Sequence, residues 1–246
     1  MCDIRLSVTN GPASLQGFVI RRVFFTYDHD FATQFAMRFR LEFDQTANSS
    51  GAYAILPNGN GSVYIKDAWL CWKNIFAGTD RYFGIQPTSA YDVSEGLWSY
   101  RSLEKTIMDL RGIVSARHLG IALRGKLDQG NVFSYGATIA NVNSGTQPKD
   151  VTPAVKNGDK YNLYSLHLAY RPINEFIFTL YGDFRPSYPV DDPASTTMPK
   201  ATVSNNTFTG ALSAAYKQGS DFAVGAEAFT QQTGHAYADR DPANHT

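Results

Sequence analysis

Two pairs of residues in the sequence place a nucleophile beside a base. Ser102 and Lys105 fit the SxxK spacing, in which the lysine amine activates the serine hydroxyl of some acyl-transfer enzymes. The companion motifs SDN and KTG do not occur, and so short a pattern arises often by chance. The second pair is Ser165 and His167, but no carboxylate is evident that would orient the imidazole. We therefore predict that the chain is not an enzyme.

A denser group of charged residues lies between residues 94 and 113, where the hydrophobic period changes from two to about 3.6. Leu103, Ile107 and Leu110 recur at helical spacing and form one apolar stripe. The other sides of this predicted helix carry Arg101, Glu104, Lys105, Asp109 and Arg111. Folded into a channel, such a helix would set the charge of the narrowest point. A solvent-facing helix that covers the channel mouth is the alternative.

The elements that position these residues show a different period. From Phe31 to Asp44 every second residue is apolar or aromatic except Thr33, and the residues between them include Arg38, Arg40 and Glu42. This is the period of a β-strand with one apolar and one charged face. A soluble sandwich buries the apolar face, whereas an outer-membrane barrel turns it to lipid and turns the charged face to a water-filled lumen. The period alone leaves both open.

Strand lengths and connections favour the barrel. About eleven strands are predicted, most of them about 10 to 14 residues long, and about 9 to 11 tilted residues cross a bilayer. Long and tight connections alternate, as in a meander with all its long loops at one end. Aromatic residues make up 13% of the chain and collect near the tight turns. The fold class is therefore predicted as all-β, an antiparallel up-and-down transmembrane β-barrel with a short helix in an inward-folded loop.

Four local features are predicted in addition. The first hairpin is predicted to turn at His29 and Asp30. Arg21 and Arg22 are adjacent, so strict alternation turns one of them toward lipid unless a β-bulge intervenes. Lys66 and Asp67 are also adjacent, and alternation sends them to opposite faces. The tight-turn ends are predicted to carry a girdle of rings that includes Trp72, Phe76 and Tyr82.

Composition and motifs exclude several function classes. The 22 basic and 22 acidic residues balance, so no nucleic-acid partner is expected. Cys2 and Cys71 are far apart and suggest neither a disulfide framework nor a zinc site. No P-loop, GxGxxG, EF-hand or HExxH motif occurs. We expect no cofactor and no metal.

The polar sides of the predicted strands supply the lining of a pore. Mixed charges there suit a hydrated channel for small polar solutes, with a leaning toward anions from the arginines. Together with the charged residues of the predicted helix, the lining is expected to include Arg38, Arg40, Glu42, Arg124 and Lys126.

Four blocks of sequence resemble porins related to the phosphate-selective porin family, especially those of Bacteroidetes-type and Chlorobi-type bacteria. They are LQGFVIRRVFFTYDHDF with FAMRFRLEFDQ, YIKDAWLCWKNIFAG, FGIQPTSAYDVSEGLW and YRSLEKTIMDLRGI. The resemblance covers about Leu15 to Phe184. It implies a trimeric outer-membrane barrel of about sixteen strands, with the third long loop folded inward. Thr88 to Arg117 would take the place of that loop.

On this basis residues 1–246 are expected to form one barrel domain, incomplete at both termini, with 88–117 as the constriction loop. No signal-peptide pattern or aromatic final residue is visible, so the chain is expected to be a fragment. The expected function is that of a porin in the outer membrane of a Gram-negative bacterium, with passive diffusion of small hydrophilic solutes or anions. Membrane lipid, lipopolysaccharide and further copies in a homotrimer are the expected partners.

Two alternatives remain at this point. One is a soluble carbohydrate-binding β-protein, which would group Trp69, Trp72 and Trp98 in a single exposed groove. The other is an outer-membrane esterase or phospholipase.

Overall fold

A computed structural model describes residues 2–7, 17–44, 62–90, 108, 111–142, 161–187, 190–191, 196, 202–219 and 222–234. Its strands are β1 (Cys2–Ser7), β2 (Gly17–Ala32), β3 (Phe35–Asp44), β4 (Ser62–Phe76), β5 (Thr79–Pro87), β6 (Arg117–Lys126), β7 (Phe133–Asn141), β8 (Asn162–Ile173), β9 (Phe176–Arg185), β10 (Val190–Asp191), β11 (Thr202–Val203), β12 (Thr207–Gln218) and β13 (Phe222–Thr233). In the described ranges, no helix has the length and apolar character needed to cross a membrane.

Eleven strands form one sheet in the order β1-β2-β3-β4-β5-β6-β7-β8-β9-β12-β13, and β10 pairs with β11 in a separate ribbon. Each strand is antiparallel to the next, so the sheet is an up-and-down meander. Tight turns join β2 to β3, β4 to β5, β8 to β9 and β12 to β13, while long segments make the connections at the opposite end. Over the described strands, β1 and β13 are the two edges and the sheet is not closed. The predicted fold class is confirmed.

The first hairpin turns later than predicted. β2 continues through His29 and Asp30, which pair with Met37 and Ala36 of β3, and the turn lies at residues 33–34. The prediction of a turn at His29 and Asp30 is therefore wrong. Contacts with other residues keep these two in the strand: the His29 ring lies 5.2 Å from that of Phe31, and Asp30 accepts a 2.8 Å bond from Lys73 of β4.

The two faces of the sheet differ in chemistry along its whole width. One face exposes large apolar side chains on nearly every strand and is called the apolar face. It includes Val23, Phe25, Tyr27, Leu70, Trp72, Ile121, Ile139, Leu166, Leu168, Phe178, Leu180, Leu212 and Val224. The opposite polar face carries Asp28, Arg38, Arg40, Glu42, Asp67, Arg124, Asp183 and Glu227. An exposed apolar band of this extent is the lipid contact of a membrane barrel, and the polar face is then its lumen wall.

Two β-bulges interrupt the alternation where adjacent charges occur. Arg22 lies opposite Asp3 and Ile20 lies opposite Ile4, so Arg21 between them has no partner on β1. On β4, Asp67 lies opposite Arg40 and Ile65 lies opposite Leu41, so Lys66 is the extra residue. Because a bulge shifts the phase of a strand, Lys66 and Asp67 both contact groups on the polar face.

Rings follow one another around the tight-turn end of the apolar face. The ring centroids of Phe133 and Tyr170 are 4.7 Å apart, and those of Tyr170 and Phe178 are 6.3 Å apart. Tyr216 continues the row, 6.5 Å from Phe176 and 6.4 Å from Phe222. Trp72 also joins such a contact, 5.6 Å from Phe35. Tyr82, which was expected in this girdle, instead lies on the polar face opposite Cys71 and Ala122. The reason is that side chains alternate along β5, and its neighbours Arg81 and Phe83 take the apolar face.

The turn between β6 and β7 is held by Asp128. Its carboxylate accepts a 2.6 Å bond from the Phe133 amide and a 2.9 Å bond from the Val132 amide, and Asn131 takes a positive φ of 58°. These backbone donors stabilise the charged form and lower the pKa of the Asp128 carboxyl below its ordinary value.

Asp128 therefore makes the turn pH-dependent. A carboxyl whose pKa is lower in the folded state contributes stability above its ordinary pKa of 3.8, and that stability is lost as pH falls through the folded pKa. We expect the protection of the Val132 and Phe133 amides, which is the intrinsic exchange rate at each pH divided by the observed rate, to be lost at such acid pH. In Asp128→Asn this protection should already be absent at neutral pH and should not fall further on acidification. The same acid response in both proteins would contradict this role.

The assignment of the apolar face to lipid predicts a depth-dependent cost of charge. Leu212→Arg places a cation at the middle of β12 and should reduce the free energy of unfolding by about 2–4 kcal/mol in phospholipid vesicles. Gln232→Arg, on the same face near the end of β13, should cost about 0–1 kcal/mol. Leu212 is already 59% exposed, so in a soluble sheet the two substitutions would have similar small effects. Equal values from urea titration would contradict the membrane orientation.

Candidate functional site

The polar face of β2 to β6 is covered by ion pairs between neighbouring strands. At its exposed side the Arg38 guanidinium binds both oxygens of Asp28, at 2.6 and 3.0 Å. Lys73 of β4 reaches Asp30 of β2 across β3, at 2.8 Å. These pairs are side by side because the antiparallel register places Arg38 opposite Asp28.

The centre of this wall contains two carboxylates that are completely buried. Asp67 is bound by Arg40 at 3.3 Å and by Arg117 at 2.5 Å. Glu42 is bound by Lys66 at 2.6 Å. A buried carboxylate is costly unless it is paired, and the bulge at Lys66 supplies a cation and an anion in the same region. The bulge is therefore what makes this charged centre stable.

A second group of polar residues lies on β9, β12 and β13. Asp183 accepts bonds from the Tyr181 hydroxyl at 2.8 Å and from Arg185 Nε at 2.9 Å. Arg185 Nη2 also donates to Thr209 Oγ1 at 2.8 Å, and Gln231 Nε2 donates to the same oxygen at 3.0 Å. Three neighbouring strands are thus joined by one network of side chains.

The described part of the inward-folded segment is fastened to this second group. The carbonyl oxygen of Ile113 accepts bonds from Arg185 at 3.1 Å and from Gln231 at 3.0 Å. The backbone amide of Met108 donates to Glu227 Oε2 at 3.2 Å. The Met108 side chain is fully buried and packs in a cluster with Val114, Tyr181 and Ala211.

The segment therefore contacts strands in two separate parts of the sheet. Arg117, at its end, binds Asp67 of β4, and Met108 and Ile113 bind residues of β9, β12 and β13. Since all these partners lie on the polar face, Met108 and residues 111–117 lie on the lumen side of the wall.

Several aromatic rings on the polar face have a cation close to the ring. The Arg38 guanidinium is 5.5 Å from the centroid of Trp69, and that of Arg124 is 4.8 Å from Tyr82. Trp69 and Tyr82 are themselves in edge contact at 5.3 Å. We call these four residues the cation–ring patch.

Two further pairs extend the same arrangement along the wall. Arg40 lies 5.7 Å from the ring of Phe24, and Lys66 lies 5.7 Å from the ring of Tyr64. A desolvated cation gains more from such a ring than an exposed one.

The sequence-predicted lining residues are distributed unevenly over the structure. Arg38, Arg40, Glu42 and Arg124 lie together on the wall between β3 and β6, whereas Lys126 is exposed at the end of β6. Arg111 is exposed on the segment that contacts the wall. Outside the described residues lie Arg101, Glu104, Lys105 and Asp109, with the predicted apolar stripe and Ser102.

The residues of the two alternatives are not brought together as those functions would require. Trp69 lies on the polar face and Trp72 on the apolar face, so they do not share one groove; Trp98 is outside the described residues. His167 is buried on the polar face, away from the lipid in which an ester substrate would lie. In the described ranges, no group of His, Cys, Asp and Glu is arranged to hold a metal ion.

Several functional contacts were missed from the sequence. Arg117, Arg185 and Gln231 were not identified as residues that hold the segment, because their partners are distant in the chain. The sequence contained only a weak indication of this role, which is that Arg117 and Arg185 both lie at strand ends beside long loops. The cation–ring patch was also missed, although the sequence of the strand that carries Arg38 shows clearly which residues share a face.

Three solved structures of OmpT, an outer membrane protein of Vibrio cholerae, are similar to this chain. OmpT itself is 13% identical over 89% of this chain and 60% of its own, with a TM-score of 0.51. The loop L8 deletion mutant is 14% identical over 97% and 68%, with a TM-score of 0.54. The in-vitro folded trimer form is 15% identical over 97% and 64%, with a TM-score of 0.53.

At such low identity the similarity establishes the fold, which is that of outer-membrane β-barrel proteins. The chain spans about three fifths of the length of the first OmpT structure. The predicted outer-membrane location agrees with that of these neighbours. No protein-family model and no curated protein matches the sequence. The resemblance to phosphate-selective porins stays a prediction.

The buried position of Asp67 predicts a large cost of removing its charge. Asp67→Asn leaves Arg40 and Arg117 with no buried counter-charge and should lower the free energy of unfolding by about 3–5 kcal/mol. Asp28→Asn is the matched control, because Asp28 also pairs with an arginine but is 54% exposed, and it should cost about 0–1 kcal/mol. Both values are measurable by urea unfolding in phospholipid vesicles. A cost for Asp67→Asn as small as the control would show that the pair is not desolvated.

Proposed function

We propose that the chain is part of a porin that allows passive diffusion of small hydrophilic solutes across the outer membrane. The observation that carries the proposal is the polar face of a membrane-spanning sheet, lined with ion pairs, onto which the segment ending at Arg117 is fastened. A polar wall with a narrowing segment is how barrels regulate the passage of solutes. The proposal includes no chemical step and no cofactor.

The pattern of pairing supports a modest leaning toward anions. Arg38 and Lys66 are each matched by one carboxylate, so their charges are largely balanced. Asp67, in contrast, is shared by two guanidiniums, those of Arg40 and Arg117. This leaves an excess of positive charge at the place where the inward segment joins the wall. Such a charge acts more strongly in a narrow passage than on an open surface.

The proposed pore requires partners that complete and surround it. Lipid offers no hydrogen bonds, so the outer edges of β1 and β13 need further strands, and we propose a closed barrel of about sixteen. The apolar face would contact membrane lipid and lipopolysaccharide. We also propose a homotrimer; a trimer form is known for the similar OmpT.

Charge reversal on the inward segment tests the mechanism. In the protein completed to a closed barrel, Arg101→Glu, Lys105→Glu and Arg111→Glu together should move the reversal potential in a potassium chloride gradient toward cation preference. The reason is that these charges would lie in the narrowest part of the passage. The measurement is made on single channels in planar lipid bilayers.

Arg81→Glu is the matched control, because Arg81 is a cation on the apolar face, 4.4 Å from the ring of Phe83. It should leave the reversal potential unchanged. Unchanged selectivity and conductance in the triple variant would mean that the segment does not narrow the pore. Complete absence of conductance from the unsubstituted protein would overturn the porin itself.

A further inference from the structure

We propose that the lumen wall contains a binding station for a neutral, ring-shaped, polyhydroxylated solute, a sugar in its pyranose form. The station is built on the cation–ring patch of Arg38, Trp69, Tyr82 and Arg124. The inference rests on the proposed function, because it assigns a class of solute to the same lumen.

The position of the two rings is the first observation. The ring contacts of Phe35 with Trp72, of Phe133 with Tyr170 and of Tyr216 with Phe222 all lie on the apolar face, where lipid favours them. Trp69 and Tyr82 face the hydrated side, where lipid contact does not explain them. Both are partly exposed there. An exposed apolar surface inside a polar site is the usual mark of ligand contact.

The groups around the rings supply both kinds of hydrogen-bonding partner. A sugar hydroxyl donates and accepts, whereas the C–H groups on one side of its ring are apolar. Arg38 and Asp28 form a pair in which the guanidinium offers donors and the carboxylate offers acceptors, and the pair is partly exposed. Trp69, whose ring centroid lies 5.5 Å from that guanidinium, is partly exposed and supplies an apolar surface beside the pair. Together they match the two sides of a pyranose ring.

Two glycines lie beside the indole, where neighbouring strand backbones approach closely. Gly84 lies opposite Trp69, and Gly120 lies opposite Gly84 on the next strand. Close approach of the strands requires glycine here, since a Cβ at Gly84 would strike the carbonyl oxygen of Ala68 and one at Gly120 that of Ile139. Gly84 also has a φ of +111°, which other residues rarely adopt. At these two positions next to Trp69 the wall therefore consists of closely packed backbone.

Charge balance favours a neutral solute over an anion. The Arg38 guanidinium is already bound by both oxygens of Asp28, so a solute carboxylate would have to displace Asp28 or lie close to it. A hydroxyl is free of that repulsion and can join the existing pair. Arg124 is directed toward the wall, where it donates to the Pro87 carbonyl oxygen at 2.8 Å and lies over Tyr82.

The test measures solute block of single channels in planar bilayers. Glucose should reduce the current in a saturable way, and mannitol, which has similar hydroxyls but no ring, should not. Trp69→Ala should raise the half-blocking glucose concentration by about two- to tenfold, the range expected for loss of one stacking ring. Trp72→Ala is the matched control on the same strand and the opposite face, and it should leave that concentration unchanged. Equal block by glucose and mannitol, or equal effects of the two variants, would overturn the proposal.

A second measurement separates this inference from the porin function. Saturation-transfer NMR of glucose is recorded with the protein in lauryldimethylamine oxide, a detergent without sugar. Transfer that is lost in Trp69→Ala and kept in Trp72→Ala supports the station even if no current is found, in which case only the porin function fails. Benzoate, a ring-shaped anion, is tested in the same way. Conducting channels that bind benzoate and not glucose would overturn the proposal that the solute is neutral. Conducting channels with neither block nor transfer would overturn the station while leaving the porin intact.

Discussion

The hydrogen bonding of the backbone is the constraint on which the rest of this structure depends. Lipid offers no partner to an amide or a carbonyl group, so a strand that crosses the membrane must be paired on both sides. Here the ladder continues from β1 through β9 and on to β12 and β13 with few irregularities. Two of these are the bulges at Arg21 and Lys66, next to other charged residues. Regular pairing enforces alternation, and the bulge at Lys66 allows two successive charges to contact groups on the same face.

Alternation in turn concentrates the charges on a single wall. Glu42 and Asp67 are fully buried there, and each is stable only because a cation from the same wall or from the inward segment binds it. Arg117 thus has two roles, since it begins β6 and also neutralises a carboxylate of β4. The position of the segment and the charge balance of the wall therefore depend on each other, because the same ion pair between Arg117 and Asp67 contributes to both.

Rings serve different purposes on the two faces. On the apolar face they gather near the tight turns, where a membrane interface suits a flat amphipathic group. On the polar face each described ring of the cation–ring patch is covered by a guanidinium, which lowers the cost of placing it beside water. The same residue types therefore lie against lipid on one face and beside cations on the other, and the position along the strand, odd or even, decides between them.

The sequence by itself determined the fold class, the two faces and the alternation of long and tight connections. These features follow from the period of two and from turn residues, which are local, so neighbouring residues contain the information. The tertiary structure decided the turn after Ala32, the bulge at Lys66, the placement of Tyr82 and the contacts of Met108, Ile113 and Arg117. Each of these depends on which residue lies opposite another across the sheet. The register of the sheet is set by many pairings between residues that are distant in the chain. Arg117 and Asp67 are separated by 50 residues, and they come into contact only when β4, β5 and β6 are paired in register.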